Sequence, residues 1–358
     1  MKRRAARLRA CFPYFGSKYD IADAVWARLG DPANYIEPFA GSLAVLLGRP
    51  KPGKVETVND SSALLTNFWS AVRADPEAVA YHADRPVHEL LLHSFHRRLV
   101  AQAPDLAARI ADDPEYFDAK IAGIWAWGAS AWLGSGWCDG TLPQRKPKMD
   151  GGSGRARNGH GVHRTELSLH QTRPHLSNLG VGVHASQLPH LSGGGETGVG
   201  YGRGVHSRAG RQFDGLVAWM LALAERLRFV RICCGDFMRV LTPAVTTSHG
   251  LTAVFLDPPY DRKRRAKRIY SHEDDSAAPR ARRWAIENGN NPMLRIAICG
   301  LRGEHDMPPD WFELSWETGG GYGNQAEDGR GRENAGLETI WFNPACIVEQ
   351  AGTQRLLF

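Results

Sequence analysis

The run Thr252-Ala253-Val254-Phe255-Leu256 is cut short by Asp257-Pro258-Pro259-Tyr260. Four consecutive apolar side chains suit a strand covered on both faces, and such strands belong to parallel sheets flanked by helices. Similar signals lie on both sides of it. Residues 19–29 carry an amphipathic helical pattern, 34–36 a short strand and 42–47 the start of a helix. Residues 55–58 form a second strand closed by Asn59-Asp60. Ser61 or Ser62 then caps a helix through Leu64, Leu65, Phe68, Trp69 and Val72. Farther on, a helical stripe from Leu216 to Leu227 precedes strands at 229–233, 252–256 and 295–299, and two late antiparallel strands at 312–316 and 338–342. Alternating strands and helices at this spacing predict an α/β fold with a mostly parallel sheet.

The alternation stops at Pro76 and resumes at Phe213, so the sequence predicts a discontinuous α/β domain (1–75 and 213–358) split by an insertion (76–212). Residues 77–137 are helical in composition. Trp125, Trp127, Trp132 and Trp137 crowd there and are read as core anchors. Residues 139–211 are rich in Gly, His and Arg and are expected to be flexible or loosely folded. Gly-Val-His recurs at Gly161, Gly182 and Gly204, without the apolar face that stacked repeats need. The histidines there lack the tight Cys or Asp spacing of a metal site, and no metal is expected.

Composition narrows the classes. A 42% hydrophobic, 23% charged chain is an ordinary globular one. No apolar run approaches the roughly 18 residues of a membrane span. The basic start, Lys2 to Arg9, is not followed by an apolar stretch of signal-peptide length. The six cysteines form no Cys-x-x-Cys pair, and a cytoplasmic location follows as an expectation. The net charge of +6 fits a nucleic-acid partner without requiring one.

The chemistry concentrates in four places. Asp257-Pro258-Pro259-Tyr260 follows a buried strand, where α/β sheets place ligands. Two prolines stiffen that loop, and the Pro258 carbonyl still accepts hydrogen bonds. One carboxylate, one fixed carbonyl and one aromatic face suit an exocyclic amino group on a flat base, with Tyr260 stacking on the ring. Glu37-Pro38-Phe39-Ala40-Gly41 closes the first strand, and Gly41 lets a ligand approach the backbone at a strand-to-helix turn. Asp60 stands 23 residues after Glu37, about where such folds hold a ribose diol. A helix cap is the alternative reading of Asp60. Asp236-Phe237 is read as a contact for an adenine amino group and ring, with a simple turn as the alternative.

Phe12-Pro13-Tyr14-Phe15-Gly16-Ser17-Lys18, Glu37-Pro38-Phe39-Ala40-Gly41-Ser42, Asn59-Asp60 and Asp257-Pro258-Pro259-Tyr260 stand in this order along the chain. In this the sequence resembles the Dam-type, alpha-group (D12 class) DNA adenine-N6 methyltransferases, especially versions carried by phages and mobile elements. The resemblance implies a Rossmann-like sheet that uses S-adenosyl-L-methionine (AdoMet), with a target-recognition insertion. It implies Tyr14 and Lys18 over the methionyl part of AdoMet, Phe39 and Gly41 in the AdoMet loop, Asp60 on the ribose, and Asp257 and Tyr260 in the catalytic loop. Tyr14-Phe15-Gly16-Ser17-Lys18 departs mildly from the family's usual aromatic–small–Gly-Gly-Lys. The implied partner is double-stranded DNA, with the enzyme acting alone or beside a cognate restriction enzyme. Cytosine N4 is the alternative target, RNA an alternative substrate, and a non-catalytic DNA-binding protein with a degenerate methylase fold the rival of another class. Pro344-Ala345-Cys346 lacks the adjacent Pro-Cys of carbon-5 methylation, and Cys346 is read as a core residue.

Overall fold

The computed structural model describes residues 7–14, 16–132, 136–138, 204–207, 213–259, 276–316 and 338–347. Seven strands form one sheet: β1 (Asn34–Glu37), β2 (Val55–Asp60), β3 (Arg231–Cys234), β4 (Thr252–Leu256), β5 (Leu294–Leu301), β6 (Phe312–Trp316) and β7 (Glu338–Phe342). Their order across the sheet is β3-β2-β1-β4-β5-β7-β6. Neighbours from β3 to β5 run parallel, while β7 is antiparallel to both β5 and β6. The order reverses between β1 and β4, and the carboxyl ends of those strands therefore flank a crevice. This is a Rossmann-like α/β arrangement, as expected.

Side chains alternate strictly across the sheet, the period-2 rule of extended backbone. Tyr35, Ala253, Phe255, Ala297, Cys299, Ile340 and Phe342 pack into one core, and Ile36, Val254, Leu256, Ile296, Ile298 and Trp341 into the other. The second face is covered mainly by α8 (Ala277–Asn288) through Ala281, Trp284 and Ala285. The first face carries α1 (Ala22–Leu29), α3 (Ala63–Ala74), α4 (Pro76–Ala83), α5 (Glu89–Asp112), α6 (Ala119–Ala131) and α7 (Phe213–Leu227). A single turn, α2 (Ala44–Leu47), follows the loop after β1.

Local chemistry sets the helix starts. Ser62 accepts from the Leu65 amide at 3.4 Å, Asp75 from Ala78 at 3.1 Å and Asp118 from Ile121 at 2.8 Å, each satisfying an otherwise orphaned donor. Helix α1 begins at Ala22 rather than residue 19. Strand β3 begins at Arg231 rather than 229, leaving Phe229 exposed beside Arg228. Trp125, Trp127 and Trp132 are buried, as anchors should be, and Trp137 is half-buried. Cys346 is buried against β5, its thiol 3.6 Å from the Ile296 carbonyl.

Most of 139–211 lies outside the described residues. Gly204–Ser207 correct the expectation of looseness at that point. Val205 is buried, its amide donates to Ser130 Oγ on α6 at 3.2 Å, and Gly204 has φ +50°. A Cβ at Gly204 would lie 2.3 Å from that hydroxyl, so only glycine fits. No helix among the described residues is long and apolar enough to cross a membrane.

Candidate active site

The loop after β1 is held from three sides. The Ala40 amide donates to the Asn59 carbonyl at 2.8 Å, and Trp69 Nε1 donates to the Gly41 carbonyl at 3.0 Å. Asn59 Nδ2 donates to the carbonyls of Pro38 and Gly235, both at 3.0 Å, which links the loops after β1 and β3. Gly41 has φ +47°, and a Cβ there would lie 2.7 Å from the Tyr14 ring. The Gly41 amide donates to Asp60 Oδ2 at 3.1 Å, and the Ser62 amide to Asp60 Oδ1 at 2.9 Å. Asp60 thus organises both flanking turns.

Glu37, the last residue of β1, is buried. Burial pushes its carboxyl up to about 8. Tyr35 hydroxyl and the Leu46 amide both donate to its Oε2, at 3.0 and 3.2 Å.

Lys18 reaches across the crevice. Its ammonium donates to the Gly16 carbonyl at 2.7 Å, and lies 3.0 Å from Asp257 Oδ2 and 3.6 Å from Glu338 Oε2. The ammonium thus stands between two carboxylates. Asp257 follows β4 and is partly buried, with 22% of its side chain exposed. Burial raises its carboxyl above the usual range, Lys18 opposes this, Glu338 adds to it, and the Cys299 thiol donates a hydrogen bond. Burial, then the charge of Asp257, pushes the Cys299 thiol well up, so it stays protonated.

Of the residues picked from sequence, Tyr14, Lys18, Glu37, Phe39, Gly41, Asp60, Asp257 and Pro259 line one cleft of about 130 Å³. Pro258, Asp236 and Phe237 do not line it. Asp236 caps the turn Phe237–Val240 through the Met238 amide at 2.9 Å and pairs with Arg280 at 2.8 Å. That pair holds its carboxyl below the usual range. Phe237 packs on Phe39 with ring centroids 4.7 Å apart, under the wall of the cleft. Tyr260 and Phe15 lie outside the described residues. Trp125 and Trp137, read as core anchors, also face the cleft, and the Trp137 indole donates to the Trp125 carbonyl at 3.1 Å. Glu338 and Cys299 were missed. Each is a lone polar residue in a late strand, and only the fold brings it to Asp257.

Among the described residues no group of three or more His, Cys, Asp or Glu side chains is arranged to hold a metal ion. No curated protein matches the chain. The family model of the D12 class N6 adenine-specific DNA methyltransferases matches residues 14–96, which take in Tyr14, Lys18, the Glu37–Gly41 loop and Asp60. The match runs past Pro76 into α5. Over residues 14–96, and on a Rossmann-like sheet, the chain is therefore similar to the D12 class N6 adenine-specific DNA methyltransferases.

Proposed function

We propose that the protein transfers the methyl group of AdoMet to N6 of an adenine turned out of double-stranded DNA at a specific site. The observation that carries this reading is the meeting of Asp257 and Pro259 with Gly41 and Asp60 in one cleft at the sheet's reversal point. The residues fit the donor. Gly41 brings bare backbone to the cleft beside the Tyr14 ring, and the Asp60 carboxylate lines the same cleft as an acceptor for a ribose diol. When bound, AdoMet supplies a methyl group on a sulfonium: the N6 lone pair forms the new C–N bond, the C–S electron pair stays on sulfur, and an N6 proton passes to water.

The chain's part is positioning and electrostatics. An amine inside a duplex is paired and stacked, so the base must leave the helix. Asp257 and the Pro258 carbonyl accept hydrogen bonds from the two N6–H groups and localise the nitrogen lone pair. Tyr14, Phe39 and Tyr260 offer aromatic faces, Lys18 closes the cleft, Glu37 completes the AdoMet wall, and Phe237 backs Phe39 from behind. The catalytic domain comprises 1–75 and 213–358 with α4 to α6 packed into its core, and the part of the 76–212 insertion beyond Cys138 carries target recognition.

The test is labelled-AdoMet transfer to duplex DNA with EDTA present, followed by nucleoside analysis. Label in N6-methyladenine is expected, and label confined to N4-methylcytosine or to RNA overturns the reading. Single-molecule sequencing of DNA from expressing cells then gives the recognition sequence.

A further inference from the structure

We infer that Glu338 is a positioning residue for the transfer: it holds the Lys18 ammonium between two carboxylates, so that Asp257 remains a strong acceptor for the target amine. The inference rests on the methyl-transfer reading above.

The geometry needs an explanation that packing does not supply. Lys18 is only 4% exposed and already has the Gly16 carbonyl at 2.7 Å and Asp257 at 3.0 Å. Asp257 alone would balance the charge of the ammonium. The chain nevertheless places a second carboxylate, Glu338, in ion-pair range at 3.6 Å, with only 14% of its side chain exposed. Burying that extra charge carries a desolvation penalty. It also leaves the trio of Lys18, Asp257 and Glu338 with a net negative charge when both acids are ionised.

That surplus falls where the reaction places positive charge. As the new C–N bond forms, N6 becomes more positive, and a negative cluster held beside it is worth most in a cleft with little water. If Asp257 were the ammonium's sole anionic partner, Lys18 would neutralise it and weaken it as an acceptor. Glu338 divides that charge. Cys299 supports the same arrangement from β5, since its protonated thiol donates to Asp257 without adding charge. Among the described residues the titratable groups facing Asp257 are Lys18 before α1, Glu37 on β1, Cys299 on β5 and Glu338 on β7.

Glu338→Gln keeps the shape and removes the charge. Its signature combines two opposed changes. The plateau single-turnover rate falls about tenfold, because Asp257 becomes a weaker acceptor. The Asp257 titration moves down by about one pH unit, because a like charge is gone and Lys18 turns wholly to Asp257. The acid limb of the rate profile moves with it. Glu338→Asp recovers part of both, and AdoMet affinity changes less than about threefold in either variant. The titration is read by carboxyl-carbon NMR in protein without AdoMet, assigned with Asp257→Asn, so it does not depend on turnover. An unchanged plateau, an Asp257 midpoint that stays or rises, or a rate loss matched by lost AdoMet affinity overturns the inference. Failure of the wild-type protein to methylate adenine strikes the functional reading instead, and the titration still reports whether Glu338 governs Asp257.

Discussion

The Gly41 amide donates to Asp60 Oδ2 at 3.1 Å, which ties the loop after β1 to the end of β2. Because Ser62 takes the other oxygen, Asp60→Asn cannot serve both amides through acceptors alone. It should weaken AdoMet binding by about 1–3 kcal/mol, the cost of disturbing a charged hydrogen bond, while the single-turnover rate at saturating AdoMet changes little. Calorimetric titration beside rapid-quench kinetics checks the division.

Gly41→Ala should act through shape. At φ +47° a Cβ costs about 1–2 kcal/mol of strain, and it meets the Tyr14 ring at 2.7 Å. Tyr14 must swing away, and AdoMet affinity should fall at least tenfold with the far-ultraviolet circular dichroism unchanged. Unaltered affinity removes this loop from the AdoMet site.

Stability should fall with rising pH because of Glu37. Its native carboxyl titrates near 8, while the unfolded chain's titrates near its ordinary value of 4.5. Between these values the native state holds the proton and the unfolded state has released it, so unfolding becomes easier as pH rises through the window. Below it both states are protonated, and above about 8 the full penalty is reached. Asp257, also raised, contributes with the same sign. Urea midpoints from pH 5 to 8.5 should decline in the wild type and be markedly flatter in Glu37→Gln.

Asp257→Asn should nearly abolish turnover and leave AdoMet binding largely intact, because the lost charge acts on the amine in the transition state. Single-turnover rates paired with AdoMet titration decide it, and a variant that turns over normally removes Asp257 from the catalytic role.

In the segment 139–211, Arg145, Lys146, Lys148, Arg155, Arg157, Arg164, Arg173, Arg203, Arg208 and Arg211 outnumber Asp139, Asp150, Glu166 and Glu196. Replacing 151–203 with a short Gly-Ser linker should lower DNA affinity and flatten its salt dependence, since fewer counterions are released, while AdoMet binding persists. Equal salt slopes make the segment a passenger.

The sheet was legible because its strands are short apolar runs closed by polar turns, as at Leu256-Asp257, and periodicity reads such punctuation directly. The glycine loop and Asp60 were legible for the same reason: each sits one or two residues from a strand end. Glu338 and Cys299 were not, because nothing local distinguishes a site-facing side chain from a packed one. Their meaning depends on β7 lying against β5 at a register that sets Glu338 opposite Leu301. Asp236 shows the converse, since a residue well placed by sequence is taken up by Arg280, whose approach depends on tertiary packing.

Leu92, Leu99 and Leu106 of α5, and Ile121 to Trp127 of α6, share one core with Phe12, Leu64, Phe68 and Trp69. Phe12 sits 4.8 Å from Trp125 and 5.1 Å from Phe68, ring centre to ring centre, so aromatic contact runs unbroken across position 76. These helices are therefore not a detachable cassette. Swapping them for the equivalent stretch of another methyltransferase would unseat the wall behind Tyr14. A graft meant to change sequence preference should instead keep α4 to α6 and exchange only chain beyond Cys138.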